Sequence, residues 1–246
     1  MSKKLKFIIR KKEIGFSNSQ YHLLVSALGK GESIDNELDA SFWGNVNKIK
    51  KLENFTGLKK QSLNIYGNIE NGNSKPNINR LIVAGIGDRE KFTTDEIRSF
   101  FADFIRKVKS MKLDSFAIDS DSFNLNIPNN LQACVEGIVL GLYEFNDYKS
   151  KTKKNKKVEK IIFLGEVDEK TVEKGRVIGL GVNLARDLGN HPPNILTPKY
   201  LADESVKISK AKRMKSKIID FKDFKKLGLG SFYGVAVGSE EPAKMI

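Results

Sequence analysis

The spacing of apolar residues changes several times along this chain, and each change marks an element. Residues 5–9 alternate as a short strand, and YHLLVSALG (21–29) reads as a second strand ending in a glycine turn. From Ile34 to Phe55, Leu38, Phe42, Val46, Ile49 and Leu52 recur every three or four residues, which predicts one amphipathic helix. SLNIYG (62–67) is a strand, residues 68–79 a turn-rich loop, and RLIVAGIG (80–87) an apolar run suited to a buried strand. Residues 93–111 form a helix with Ile97, Phe101, Phe104 and Val108 on one face, Thr93 or Thr94 as N-cap, and Asp95 and Glu96 in the first turn. SFAIDS (115–120) is a strand, residues 129–145 a strongly apolar helix, and EKIIFLG (159–165) a further strand. Strands alternating with helices predict an α/β layer structure with no internal repeat.

Residues 168–189 predict the next helix. Val177, Leu180, Leu184 and Leu188 make an apolar stripe, beside a line of small residues at Gly175, Gly179 and Ala185. Glycine costs about 1 kcal/mol against alanine inside a helix. Two on one side therefore predict a close approach to another backbone. His191-Pro192-Pro193 stops the helix, because proline lacks a donor and bars α geometry before it. Thr197-Pro198 restarts one, with Thr197 as N-cap and Pro198 at the first helical position. Residues 216–221 then predict a strand, 223–232 a short helix with a glycine exit, and YGVAVG (233–238) a strand.

With 39% hydrophobic residues and 15 Phe in 246 positions, the chain has enough apolar material for at least one core. The single cysteine, Cys134, excludes an internal disulfide framework, and its apolar helical setting reads as a buried, inert thiol. The N-terminal MSKKLKFIIR is too charged and its apolar run too short for a secretory signal, and no apolar run approaches a membrane span. A cytoplasmic location and no membrane partner are the expectations. The net charge is +13. Residues 149–160 hold seven lysines and 207–217 six basic side chains, without interleaved aromatics. Solvated surfaces are the reading of both, with weak, salt-sensitive contact to nucleic acid as the alternative.

The chain offers few groups for chemistry. His22 and His191 each lack a second His, Cys or Glu at metal-ligand spacing. Gly85-Ile86-Gly87 follows a strand but has no third glycine and no P-loop lysine, so a tight strand exit is the reading. Asp119 and Asp121 begin like a calcium loop, but Asn124 stands where glycine is needed and Asn130 where glutamate is needed. Asp35, Glu37 and Asp39 read as a solvated acidic first turn. No set of titratable residues amounts to a catalytic, cofactor-binding or metal-binding constellation.

One block is more specific. Asn183-Leu184-Ala185-Arg186-Asp187-Leu188, followed by Asn190, Pro192-Pro193-Asn194, Leu196-Thr197-Pro198 and Leu201-Ala202, resembles the cytosol (leucyl) aminopeptidase family of metallopeptidases. The stretches 218–246, with its Gly-Ser-Glu-Glu-Pro turn, and 136–151 are similar to the same family, as is RLIVAGIG with its following helix. The resemblance implies a macro-like N-terminal α/β domain over 1–167, a linker helix over 168–190, and over 191–246 the incomplete start of an α/β metallopeptidase domain. It also implies release of N-terminal amino acids, preferably leucine, from peptides, with two divalent ions (Mn or Zn) and a homo-hexamer. The family's metal-binding blocks, Val-Gly-Lys-Gly-Ile-Thr-Phe-Asp-Ser-Gly-Gly and Asn-Thr-Asp-Ala-Glu-Gly-Arg, do not occur in this sequence. No family catalytic residue can therefore be placed on it. Three readings follow: a truncated aminopeptidase inactive alone, a non-enzymatic module binding a partner or polyanion, and one half of a split enzyme.

Overall fold

The computed structural model describes residues 5–12, 22–42, 44–67, 79–150 and 158–246. Most of the loop over 68–79 and of the first lysine cluster lies outside these residues, as does the side chain of Glu37. The chain divides into two compact units, Met1–Val182 and Asn183–Ile246.

The first unit is built on a six-stranded sheet. Its strands are β1 (Lys6–Arg10), β2 (Leu24–Gly29), β3 (Ser62–Tyr66), β4 (Arg80–Gly87), β5 (Ser115–Asp119) and β6 (Lys160–Leu164), in the spatial order β1-β6-β5-β2-β4-β3. All neighbours are parallel except β3, which runs antiparallel to β4 at the edge. β2 and β4 are buried along nearly their whole length, and β3 alternates exposed and buried. That contrast is the expected difference between a strand covered on both faces and an edge strand.

Two apolar cores sandwich the sheet. On one face, Val25, Ile86, Ile118 and Phe163 meet α3 (Thr94–Ser110) and α4 (Pro128–Gly141). On the other, Leu24, Val83, Ala117 and Leu164 meet Leu38, Phe42 and Val46 of the α1–α2 segment, where α1 is Asn36–Ser41 and α2 is Asn45–Leu52. Fully burying a side chain such as Phe101 or Leu81 contributes about 1.5–3 kcal/mol. α3 starts on a complete capping box: the Thr93 hydroxyl accepts Glu96 N–H, and the Glu96 carboxylate accepts Thr93 N–H.

The segment from Ile34 to Phe55 is not one helix. Gly44 adopts the left-handed conformation at φ 68°, which ends the first turns and turns the chain into α2. The apolar period survives the break for Leu38, Phe42 and Val46, whereas Leu52 is 80% exposed. The next helix, α5 (Glu169–Asn190), makes the close approach that its glycines predict. Gly175 and Gly179 are buried, and a Cβ on Gly179 would lie 2.8 Å from the Val139 side chain in α4. Val177, Leu180 and Leu184 are exposed. Close helix approach selects the small residues, and the larger ones stay outside.

The second unit contains the end of α5, the helix α6 (Pro198–Ala211), the short pair β7 (Ile219–Asp220) and β8 (Lys244–Met245), and α7 (Gly230–Ala236). Thr197 caps α6 by accepting Tyr200 N–H at 3.2 Å, with Pro198 at the first helical position. Phe224 is fully buried, packed edge-on against Phe221 and Phe232, while Phe221 stacks on Tyr233. Two sequence expectations fail here. A 3₁₀ turn (Phe221–Asp223) and further turns precede α7, which begins only at Gly230, and 233–236 belong to α7, followed by a turn at 237–238, rather than forming a strand. A strand at 233–238 would need a ladder partner, whereas the helical backbone meets its own needs: Tyr233 N–H bonds Leu229 O and Val237 N–H bonds Tyr233 O. The strand expected over 216–221 shrinks to two residues.

Candidate functional site

The order of the strands creates one distinctive place. After β2 the chain crosses the face that carries α1 and α2, and after β5 it crosses the opposite face through α4. β2 and β5 are neighbours, so the chain diverges at their carboxyl ends and leaves a crevice, where open parallel sheets characteristically bind ligands. A cavity of about 330 Å³ lies there. Ser26, Ala27 and Leu28 from the end of β2 line it, with Asp119, Asp121 and Ser122 from the end of β5. Glu32, Ile34 and Asp35 close one side, and Arg89 and Lys12 the others.

The crevice is strongly polar. Asp119 is 2% exposed, and its Oδ2 accepts the Ser26 hydroxyl at 2.9 Å. Oδ1 accepts no well-directed hydrogen bond among the described residues and lies 3.2 Å from the Lys12 ammonium. The same ammonium lies 3.4 Å from Asp121 and 3.6 Å from Asp35. Burial raises the Asp119 pKa above the usual carboxylate value, and the Lys12 charge and the Ser26 hydroxyl offset only part of that. Burial also works against the Lys12 charge, but the surrounding carboxylates outweigh it and hold its pKa above the ordinary lysine value.

A second pair stiffens the rim. Arg89 forks onto Glu32 through Nε at 2.5 Å and Nη2 at 2.6 Å, and its Nη1 donates to Ser122 O at 2.7 Å. Glu32 also accepts Gly29 N–H at 2.7 Å. The hydrogen bond from Arg89 lowers the Glu32 pKa, against a smaller opposing effect of burial. Ser122 joins the two strand ends: its hydroxyl donates to Asp119 O and accepts Ala27 N–H. The result is a preformed, charged pocket on rigid strand ends.

The structure thus gathers Asp119 and Asp121, which fail as a calcium loop, with Asp35, which the sequence assigns to a solvated turn. Asp35 does accept Leu38 N–H at the start of α1, but it also faces Lys12. Asp39 is elsewhere, accepting Asn47 N–H and its side-chain amide. Sequence reading missed Lys12, Ser26, Glu32 and Arg89. The signal that could have flagged the place is an aspartate ending an otherwise apolar strand, SFAID (115–119).

The remaining candidates fall apart spatially or are structural. His22 is exposed and 3.3 Å from the Asn79 amide, while His191 leans on the Tyr200 ring at 5.8 Å. Cys134 is fully buried, and burial pushes its thiol pKa well up, which disfavours thiolate. Gly85 serves close approach: a Cβ there would lie 2.2 Å from Leu58 O. No helix among the described residues is long and apolar enough to cross a membrane. Among the described residues no group of three or more His, Cys, Asp or Glu is arranged to hold a metal ion. The Asp35, Asp119 and Asp121 carboxylates converge on a lysine ammonium, which is the wrong occupant for such a centre.

Compared with known proteins, residues 24–152 match the sequence model of the cytosol aminopeptidase family's N-terminal domain, and residues 183–246 that of its catalytic domain. The chain belongs to the cytosol aminopeptidase family. Among curated members, a probable cytosol aminopeptidase of Alkaliphilus oremlandii (strain OhILAs) is 30% identical over 226 residues, 87% of this chain and 43% of that protein. Among solved structures, a tomato leucine aminopeptidase mutant superposes with a TM-score of 0.77 at 26% identity, covering 99% of this chain and 50% of that one. The bottromycin maturation enzyme BotP in complex with Mn shares the fold, with a TM-score of 0.68 at 19% identity over 90% of this chain and 43% of that one. The chain therefore spans less than half the length of the curated cytosol aminopeptidases it matches. The catalytic-domain match begins at Asn183, where the second compact unit also begins.

Proposed function

We propose that this chain provides the N-terminal α/β domain, the linker helix and the opening segment of a leucine-type aminopeptidase, and that it hydrolyses no peptide by itself. The domains in this reading are 1–167, 168–190 and 191–246. The observation that carries it is the ordered pair of family matches, N-terminal domain over 24–152 and catalytic domain over 183–246. The metal-binding blocks of the family are not in the sequence. A dimetal hydrolase needs both ions to activate water and polarise the scissile carbonyl. In this reading the working enzyme is cytoplasmic and hexameric, takes peptides as substrates, and holds two Mn or Zn ions on residues outside this sequence.

Exposed apolar side chains in the second unit support incompleteness of that unit. Leu227, Phe232, Val235 and Val237 are 53%, 42%, 89% and 54% exposed. Apolar groups gathered in so short a stretch are normally covered. The test is complementation. Co-expression with a polypeptide carrying both metal-binding blocks is expected to yield hydrolysis of leucine p-nitroanilide in Mn²⁺. Formation of a stable complex without turnover would count against the reading.

A second reading rests on a separate observation: all six basic side chains of 207–217 are exposed. In this reading the chain binds polyanions without catalysis. Binding of duplex DNA at low salt that weakens steeply as salt rises would support it, and no binding at 20 mM salt would end it.

A further inference from the structure

The first unit holds another cavity, which shares no residue with the charged crevice. It has a volume of about 470 Å³ and lies where the outer strand β3 passes beside α3. Its origin is the two-residue period of β3. Tyr66, Asn64 and Ser62 stand opposite Arg80, Ile82 and Ala84 of β4, so all six share one face of the sheet. That is the face α3 and α4 cover, where Ile82 belongs to the same core as Phe104. The cover ends before β3, and Ser62, Asn64 and Tyr66 are exposed. The result is a groove with the sheet as its floor and α3 as its wall, within the range of roughly 300–1,000 Å³ that holds small ligands.

The groove has an apolar body and a cationic rim. Ile82 and Ala84 are buried in its floor, and the stacked rings of Phe100 and Phe104, 5.8 Å apart, line its wall with Met111. Its charged residues are Lys60, Arg80 and Lys107 against the single carboxylate of Asp103. Asp103 already accepts a hydrogen bond from Arg106 at 2.5 Å. Neither Lys60 nor Lys107 has an ion-pair partner among the described residues.

Arg80 decides what kind of ligand fits. It is half-buried and pairs with no carboxylate among the described residues. Its Nη2 donates to Asn64 Oδ1 at 2.8 Å, and its Nη1 meets only the weak acceptor Met111 Sδ at 3.3 Å. The Tyr66 ring lies 5.0 Å from its Cζ, and its Nε is buried with no hydrogen-bond partner. These contacts fix the guanidinium and leave its charge unmatched. A charge withdrawn from water without a counter-ion costs free energy that an incoming oxyanion recovers. A planar guanidinium suits carboxylate and phosphate alike. The last turn of α3 borders the groove at Lys107 and Ser110, and its negative carbonyl end disfavours a dianion. A cationic ligand meets three like charges, and a small polar anion leaves the apolar floor unused. A monocarboxylate with an apolar body matches both parts.

We propose that the β3–α3 groove binds a small organic acid, its carboxylate held by Arg80 and Lys107 and its apolar body lying on Ile82, Ala84 and Phe104. The site is independent of peptide hydrolysis and of the second unit.

The experiment is calorimetric titration of the full chain with 3-phenylpropanoate. The controls are 3-phenylpropan-1-amine, which keeps the body and reverses the charge, and acetate, which keeps the charge without the body. The wild type is expected to bind the acid at one site and each control at least about tenfold more weakly. Lys107→Gln, at an exposed helix position, is expected to weaken binding at least threefold with an unchanged melting temperature. Ser62→Trp fills the groove from an exposed strand position and is expected to abolish binding, as is Arg80→Met. No saturable binding of the acid at about 10 mM, equal binding of either control, or undiminished binding by Lys107→Gln or Ser62→Trp would each overturn the proposal.

Discussion

Gly137 of α4 lies so close to Arg98 of α3 that a Cβ on it would sit 2.3 Å from the Arg98 carbonyl oxygen. The contact is backbone against backbone, so no side chain can swing aside. A Cβ on Gly141, one turn on, would lie 2.3 Å from the Ile105 side chain and 2.5 Å from Ala102 O. These glycines set the separation of the two helices that cover one face of the sheet.

Gly137→Ala is therefore expected to destabilise the first unit by about 1–3 kcal/mol, the scale of overpacking, despite alanine's better helix propensity. Gly181 in α5 has open space around its Cβ position, and Gly181→Ala is expected to stabilise by about 0.5–1 kcal/mol. Urea unfolding of the two variants should move the midpoint in opposite directions.

The same helix pair shares a partly buried charge. Arg98 Nε donates to Glu136 Oε2 at 2.7 Å, and Gln132 Nε2 donates to Oε1 at 2.7 Å. The Glu136 side chain is only 8% exposed, so Arg98→Ala strands a buried carboxylate and is expected to cost about 2–4 kcal/mol. Arg98→Ala combined with Glu136→Met removes the stranded charge and should recover much of that. A double-mutant cycle by thermal unfolding checks it, and purely additive losses would refute the coupling.

Two carboxylates of the crevice have opposite pH behaviour. Glu32 titrates below its unfolded value because Arg89 holds it, so its contribution is present above the unfolded pKa and lost as pH falls through the folded one. Glu32→Gln should flatten the acid limb of the stability profile, by about 1 kcal/mol given its partial exposure. Asp119 is raised by burial, so its contribution is present below the unfolded pKa and lost as pH rises through the folded one. Asp119→Asn should therefore steepen the acid limb. Stability measured from pH 3 to 7 distinguishes the two signs.

Much of this fold was legible in the apolar period, because β4, β5, β6 and α3 are covered in the way their patterns require. The capping box at Thr93 and the proline start of α6 were equally local and equally readable. The break at Gly44 was written in the sequence, but the continuing period of Leu38, Phe42 and Val46 masked it. The close approach of α5 to α4 was legible in Gly175 and Gly179, whereas the apolar stripe beside them carries no sign that it stays exposed. The strand expected at 233–238 failed because alternation gives no partner. The crevice was legible only in the aspartate that ends the apolar strand SFAID. Lys12, Ser26, Glu32, Arg89 and Asp119 come together only through the strand order, which no local pattern encodes.

The most direct test of the account is the activity of the purified chain by itself, with leucine p-nitroanilide and saturating Mn²⁺ or Zn²⁺. The account predicts no turnover above the metal-only background. Robust, chelator-sensitive turnover by this chain would contradict it.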